Sequence, residues 1–168
     1  GQFTIIYSSY AQGIMLICFL SSVISYCLYV HRSQRNVRLL GAEEATMSPF
    51  MTWIWHFIPI ASLWKPLVGV SQIWNASHRL NDEQGGARST LLGLWWGGWI
   101  LGLLISRVAS AMMRSSSQVL ADLQPVLIVE SISIVALILS ATAFIMIARK
   151  VTVLHKDLAQ HSTLDAFD

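Results

Sequence analysis

Four apolar stretches dominate the chain, at residues 5–30, 50–77, 91–113 and 126–148. Each is near or above the length of about 20 residues that spans the hydrocarbon core of a bilayer. In lipid every backbone N–H and C=O must find its partner inside the protein, which leaves helices and closed barrels as the spanning structures. Barrel strands alternate apolar and polar residues, and these stretches do not. The sequence therefore predicts an all-α integral membrane protein with four hydrophobic helical segments. Composition agrees: 12% of the 168 residues are charged, against about a quarter in an ordinary soluble domain. The first stretch lacks a small-residue cleavage site and reads as a retained helix. With no internal repeat and no linker, residues 1–168 read as one transmembrane helical domain, with a short polar tail from about residue 150.

The second stretch, FMTWIWHFIPIASLWKPLVGVSQIWNAS, differs from the other three. Ser48-Pro49 before it has the form of an N-cap followed by proline at the first helical position. Inside it, Pro59 removes the hydrogen bond to the carbonyl of Trp55, and Pro66 the one to Ser62. The residue before a proline is pushed out of helical geometry, so Ile58 and Lys65 are the expected hinges. Pro59, Trp64, Lys65 and Pro66 thus mark a broken helix, the kind of element on which transporters build substrate sites.

Two topologies fit this break. In a kinked span, all four segments cross. Arg32, Arg35, Arg38 and Arg114 then lie on one side, and Arg79, Arg88, Arg149, Lys150 and Lys156 on the other. That near tie sits poorly with the bias of basic residues toward the cytoplasm. In a re-entrant arrangement the stretch turns near its prolines and leaves on the side it came from. Every basic residue just named except Arg114 then falls on one side.

Other residues carry packing or charge. Gly93 and Gly97 are one helical turn apart, as are Gly98 and Gly102, giving two ridges where another helix can approach closely. Arg107 and Glu130 lie inside apolar stretches, where charges are costly. They are about equally far from the turn near Gln118, so an antiparallel hairpin sets them at one depth as an intramembrane ion pair. Arg32, Arg35 and Arg38 follow the first stretch and are expected among anionic lipid head groups.

The formal charge of +2 does not suggest nucleic acid as a partner. Cys18 and Cys27 are about 13 Å apart along a helix, too far to bridge. No two of the five histidines are spaced three or four residues apart, so no metal or haem site is expected, and no cofactor. There is no glycine-rich phosphate loop, and the serines of the apolar stretches read as helix-packing residues and not as nucleophiles. No catalytic residue is assigned, and enzyme activity is not expected.

The segment FIPIASLWKPLVGVSQIW, followed by LLGLWWGGWILG, resembles a bacterial family of small multi-pass membrane proteins, the domain of unknown function 4328. The carrying positions are Phe57, Pro59, Ile60, Leu63, Trp64, Lys65 and Pro66, with Trp95 and Trp96. His56 is not part of that pattern. The resemblance implies four hydrophobic helices in the bacterial inner (plasma) membrane and no activity. Three functions are compatible with these residues. The first is an accessory or scaffold subunit packing against a larger membrane protein complex. The second is a small oligomeric transporter or channel using the broken helix, and the third a lipid- or quinone-binding membrane protein. The expected partners are the bilayer and other membrane-protein subunits or a second copy of the chain.

Overall fold

A computed structural model describes the backbone of residues 2–43, 45–81, 90–115 and 120–164, and the side chains of 10–43, 45–81, 90–114 and 123–160. Its α-helices are α1 (Gln2–Leu39), α2 (Pro49–Ile54), α3 (Lys65–Leu80), α4 (Thr90–Ser115) and α5 (Leu120–Leu164). Two 3₁₀ turns, Trp55–Phe57 and Ala61–Leu63, lie between α2 and α3. There is no strand among the described residues. Three helical stretches are long and apolar enough to cross a membrane: Tyr10–Leu39, Thr90–Arg114 and Leu123–Gln160.

The expected fourth hydrophobic helix does not form as one helix. Ser48 caps α2 as its sequence predicts, its Oγ accepting from the Met51 N–H at 3.2 Å, and Pro49 opens the helix. The helix stops after six residues, about 9 Å. Ile58 is extended, with φ −97° and ψ 111°, because Pro59 follows it. The second break falls at Trp64 (φ −142°), one residue earlier than expected. Lys65 is already helical and Pro66 sits in the first turn of α3, where its missing N–H costs nothing. At 16 residues α3 is about 24 Å long, and Gln72, Asn75, His78 and Arg79 make it too polar for a span.

This stretch doubles back on itself. Gln72 of α3 stands beside the start of α2: its Oε1 accepts from the Met47 N–H at 3.0 Å, and its Nε2 donates to Thr46 Oγ1 at 2.9 Å. Gly69, a turn earlier, packs on Thr52. A Cβ there would lie 2.7 Å from the Thr52 methyl, so only glycine lets α2 and α3 close. The two helices run antiparallel, and the chain leaves beside the point where it came in.

Helices α4 and α5 form a long antiparallel hairpin. Gly98 and Gly102 supply the contact face: a Cβ on Gly98 would sit 3.2 Å from Ser140 Cβ, and one on Gly102 2.7 Å from Leu137. Where the backbones approach, Ser133 Oγ donates to the Gly102 carbonyl at 2.8 Å and Ser140 Oγ to that of Trp95. The segment read as a polar tail from about residue 150 continues α5 to Leu164.

Four of the helices meet in one core. Val30 of α1, Val70, Ile73 and Trp74 of α3, Leu92, Trp95 and Trp96 of α4, and Ala143, Ile147 and Val151 of α5 form the main core. There α1 runs parallel to α5, with Tyr26 on Phe144 and Tyr29 donating to the Ala148 carbonyl at 3.0 Å. It ends in a Schellman turn: Gly41, at φ +79°, donates to the Arg38 carbonyl, and Ala42 donates to that of Val37. Its other half is bare. Residues 10–20 are all exposed, and nothing lies within 4 Å of a Cβ built on Gly13.

Candidate functional site

The doubled-back segment is where buried polar chemistry gathers. At its tip His56 meets Tyr26 of α1, with Tyr26 Oη 2.8 Å from His56 Nε2. His56 Nδ1 lies 3.0 Å from the Trp53 carbonyl. A carbonyl only accepts, so the imidazole proton sits on Nδ1, Nε2 accepts, and the tyrosine hydroxyl donates. Both ring nitrogens of a neutral histidine are thereby satisfied at a site flanked by Trp96 and, through Tyr26, by Trp95 and Phe144. Trp96 Nε1 donates to the Leu63 carbonyl at 3.0 Å, closing one backbone group freed by the break. Ser62 Oγ donates to the Pro59 carbonyl at 2.7 Å. The Lys65 ammonium stands 5.4 Å above the Trp55 ring, a cation–π contact.

At the base of the segment, Gln34 of α1 is fully buried. Its Nε2 donates to the Met47 carbonyl at 2.8 Å and is 3.4 Å from Gln72 Oε1. Arg38 also reaches the Met47 carbonyl, at 3.3 Å. These bonds hold the two strands of chain together where they come closest to the end of α1.

A third set of contacts fastens α3 to α5. Ser77 Oγ donates to the Ile73 carbonyl at 2.7 Å. Its single proton is thus committed, and the 2.9 Å contact from His155 Nε2 is a bond donated by the imidazole. Asn81 Nδ2 donates to the carbonyls of Ser77, at 2.8 Å, and Leu154, at 3.3 Å. The serine and histidine act as a brace here, since His155 offers Ser77 a proton instead of removing one.

The residues singled out in the sequence are distributed unevenly around this site. Pro59 and Trp64 are exposed, Lys65 is half-buried and Pro66 is buried. Gly98 and Gly102 face α5, whereas Gly93 and Gly97 have open space where a Cβ would be. The hairpin register sets Arg107 level with Glu130, but Arg107 lies on the exposed side of α4, across the helix from Gly98. No ion pair joins the two among the described residues. Of the three arginines at the end of α1, Arg32 borders a cleft against α5, Arg38 bonds to Met47 and Arg35 is exposed. Arg88 and Gln118 lie outside the described residues.

Sequence reasoning passed over Tyr26, Gln34, Gln72, Ser77 and His155. A signal existed for His56: a histidine in an apolar run needs partners for both nitrogens. The identity of those partners depends on which helices become neighbours.

Three helices long and apolar enough to cross a membrane, joined through a doubled-back segment, define a helical membrane protein. The chain belongs to the family described as Domain of unknown function (DUF4328), which matches residues 4–156. No curated protein and no solved structure matches it.

Proposed function

We propose that the protein is an accessory or scaffold subunit that packs against a larger membrane protein in the bacterial plasma membrane. The observation that carries this reading is the bare half of α1. Residues 10–20 are all exposed, whereas Tyr26, Tyr29 and Val30 of the same helix join the core. Around Gly13 the surface is flat, as close helix–helix approach requires. Gly93 and Gly97 add a second uncovered small-residue surface on α4. At the break, by contrast, His56, Ser62 and the Leu63 carbonyl are bonded to neighbours within the chain. That weighs against the alternative of a transporter site at Lys65.

The same reading includes a topology. The doubled-back segment is re-entrant: it dips in from the side on which α1 ends and returns there. Support comes from the Thr46–Met47–Gln72 contacts at its base and from charge. With three crossings, Arg32, Arg35, Arg38, Arg79, Arg149, Lys150 and Lys156 share one side, which the charge bias makes cytoplasmic.

Isolation of the tagged, full-length chain from native membranes in mild detergent tests the function. The expected result is co-purification with larger membrane proteins at fixed stoichiometry, lost when Gly13→Leu is introduced. Recovery as a self-contained homo-oligomer, with unchanged composition in the variant, overturns it.

A further inference from the structure

Between α1 and α5 lies a cleft of about 470 Å³. Its walls change character along its length. Toward the middle of the helices it is lined by Leu28, with Ser25 and Tyr29 beside it; toward their ends it is lined by Arg32, Asn36 and Lys156. Because α1 and α5 run parallel here, the polarity falls in the same direction on both walls. Arg32 ends the apolar part of α1, and Lys156 lies past the apolar part of α5. The two cations therefore sit at head-group depth and the leucine below them.

Chemistry narrows the occupant. Arg32 and Lys156 contribute two positive charges, and no carboxylate is among the described residues lining the cleft. Neither cation makes an ion pair among the described residues. The guanidinium offers a fork of donors suited to phosphate oxygens, and the ammonium a compact charge opposite it. Hydroxyls of Ser33 and Thr152 stand on the same walls. A free anion would use only the polar end; the apolar end calls for a hydrocarbon chain. We propose that this cleft binds one anionic phospholipid, its phosphate between Arg32 and Lys156 and an acyl chain running past Leu28. This assignment rests on the membrane placement of α1 and α5 and is independent of the subunit role. It also separates the three arginines of α1: Arg32 holds lipid, whereas Arg38 ties down Met47.

Native mass spectrometry of the full chain, released from nanodiscs of equimolar phosphatidylglycerol and phosphatidylcholine, tests this. The wild type is expected to retain one phosphatidylglycerol in preference to phosphatidylcholine. Arg32→Gln with Lys156→Gln should weaken that retention by about tenfold or more, given the attraction of each basic residue to anionic lipid. Arg35→Gln with Arg114→Gln should leave it unchanged. Leu28→Trp fills the apolar end without altering charge and should also lower retention, which covers the case of a charge variant that fails to fold. Inorganic phosphate at millimolar concentration should not displace the lipid; displacement would mean a site for free phosphate. Equal retention of both lipids, or equal loss in the Arg35/Arg114 control, would overturn the proposal.

Discussion

Tyr26 and His56 come from different elements thirty positions apart, yet the phenol donates to the imidazole at 2.8 Å beside the aromatic core. The bond fixes the height at which the doubled-back segment stops. It also dictates the tautomer of His56, whose other nitrogen is already committed to the Trp53 carbonyl.

Removing the donor should therefore cost more than a surface hydrogen bond. Tyr26→Phe leaves Nε2 half-buried without a partner, and the expected loss is about 1–3 kcal/mol. His56→Phe should cost a similar amount, and the double variant less than the sum of the two. Thermal unfolding in detergent reads all three; strictly additive losses would show that the contact is not energetically coupled.

The two glycine ridges of α4 should part company. Gly102→Leu places carbon atoms where Leu137 stands, and Gly98→Leu does the same at Ser140. Each should destabilise the α4–α5 hairpin by about 1–3 kcal/mol or prevent its folding. Gly93→Leu and Gly97→Leu meet open space and should leave the melting temperature of the isolated chain unchanged. A drop as large as that of Gly102→Leu would place an unseen neighbour on that face within the chain itself.

At the base, Gln72→Leu strips partners from the Met47 N–H and the Thr46 hydroxyl together. The expected cost is about 1–3 kcal/mol, with faster proteolysis between α1 and α2. Gln72→Glu keeps the acceptor for Met47 and should recover part of the loss. Proteolysis at wild-type rate in Gln72→Leu would mean that the clamp does not hold the segment.

Topology is decided by labelling. In a Cys18→Ala, Cys27→Ala background, single cysteines at Ala42 and Gly85 should react with an impermeant thiol reagent from the same side of sealed vesicles. Reaction from opposite sides would establish a span and refute re-entry.

How much of this the sequence disclosed depends on the range of the interactions. Local rules located the Ser48–Pro49 cap, the extended Ile58 before Pro59 and the three long apolar helices, because each depends on residues within a turn or two. Gly98 and Gly102 announced a packed face, though not that Gly93 and Gly97 would lie off it. Apolar content counted residues 50–77 as a fourth hydrophobic segment, and its prolines told that it breaks but not whether it crosses. What separates it from the other three is Gln72 and Gly69 folding back onto Met47 and Thr52, a contact that no periodicity encodes. Equal depth for Arg107 and Glu130 was legible from the hairpin; the direction in which Arg107 points was not, since it depends on the rotation of α4 about its axis.

The doubled-back segment draws its fixings from both directions along the chain. Tyr26 and Gln34 are synthesised before it, whereas Trp96, Leu154 and His155 come after it. When residue 80 leaves the ribosome, the Leu63 carbonyl has no indole to meet, and Ser77 and Asn81 have no α5 to hold. The second element in the sequence is thus locked only late, and its completion reports that α4 and α5 have been made. A truncation ending before α4 should be degraded rapidly in cells. Co-expression of α4 and α5 as a separate piece should slow that degradation, and an unchanged half-life would show that the segment docks without them.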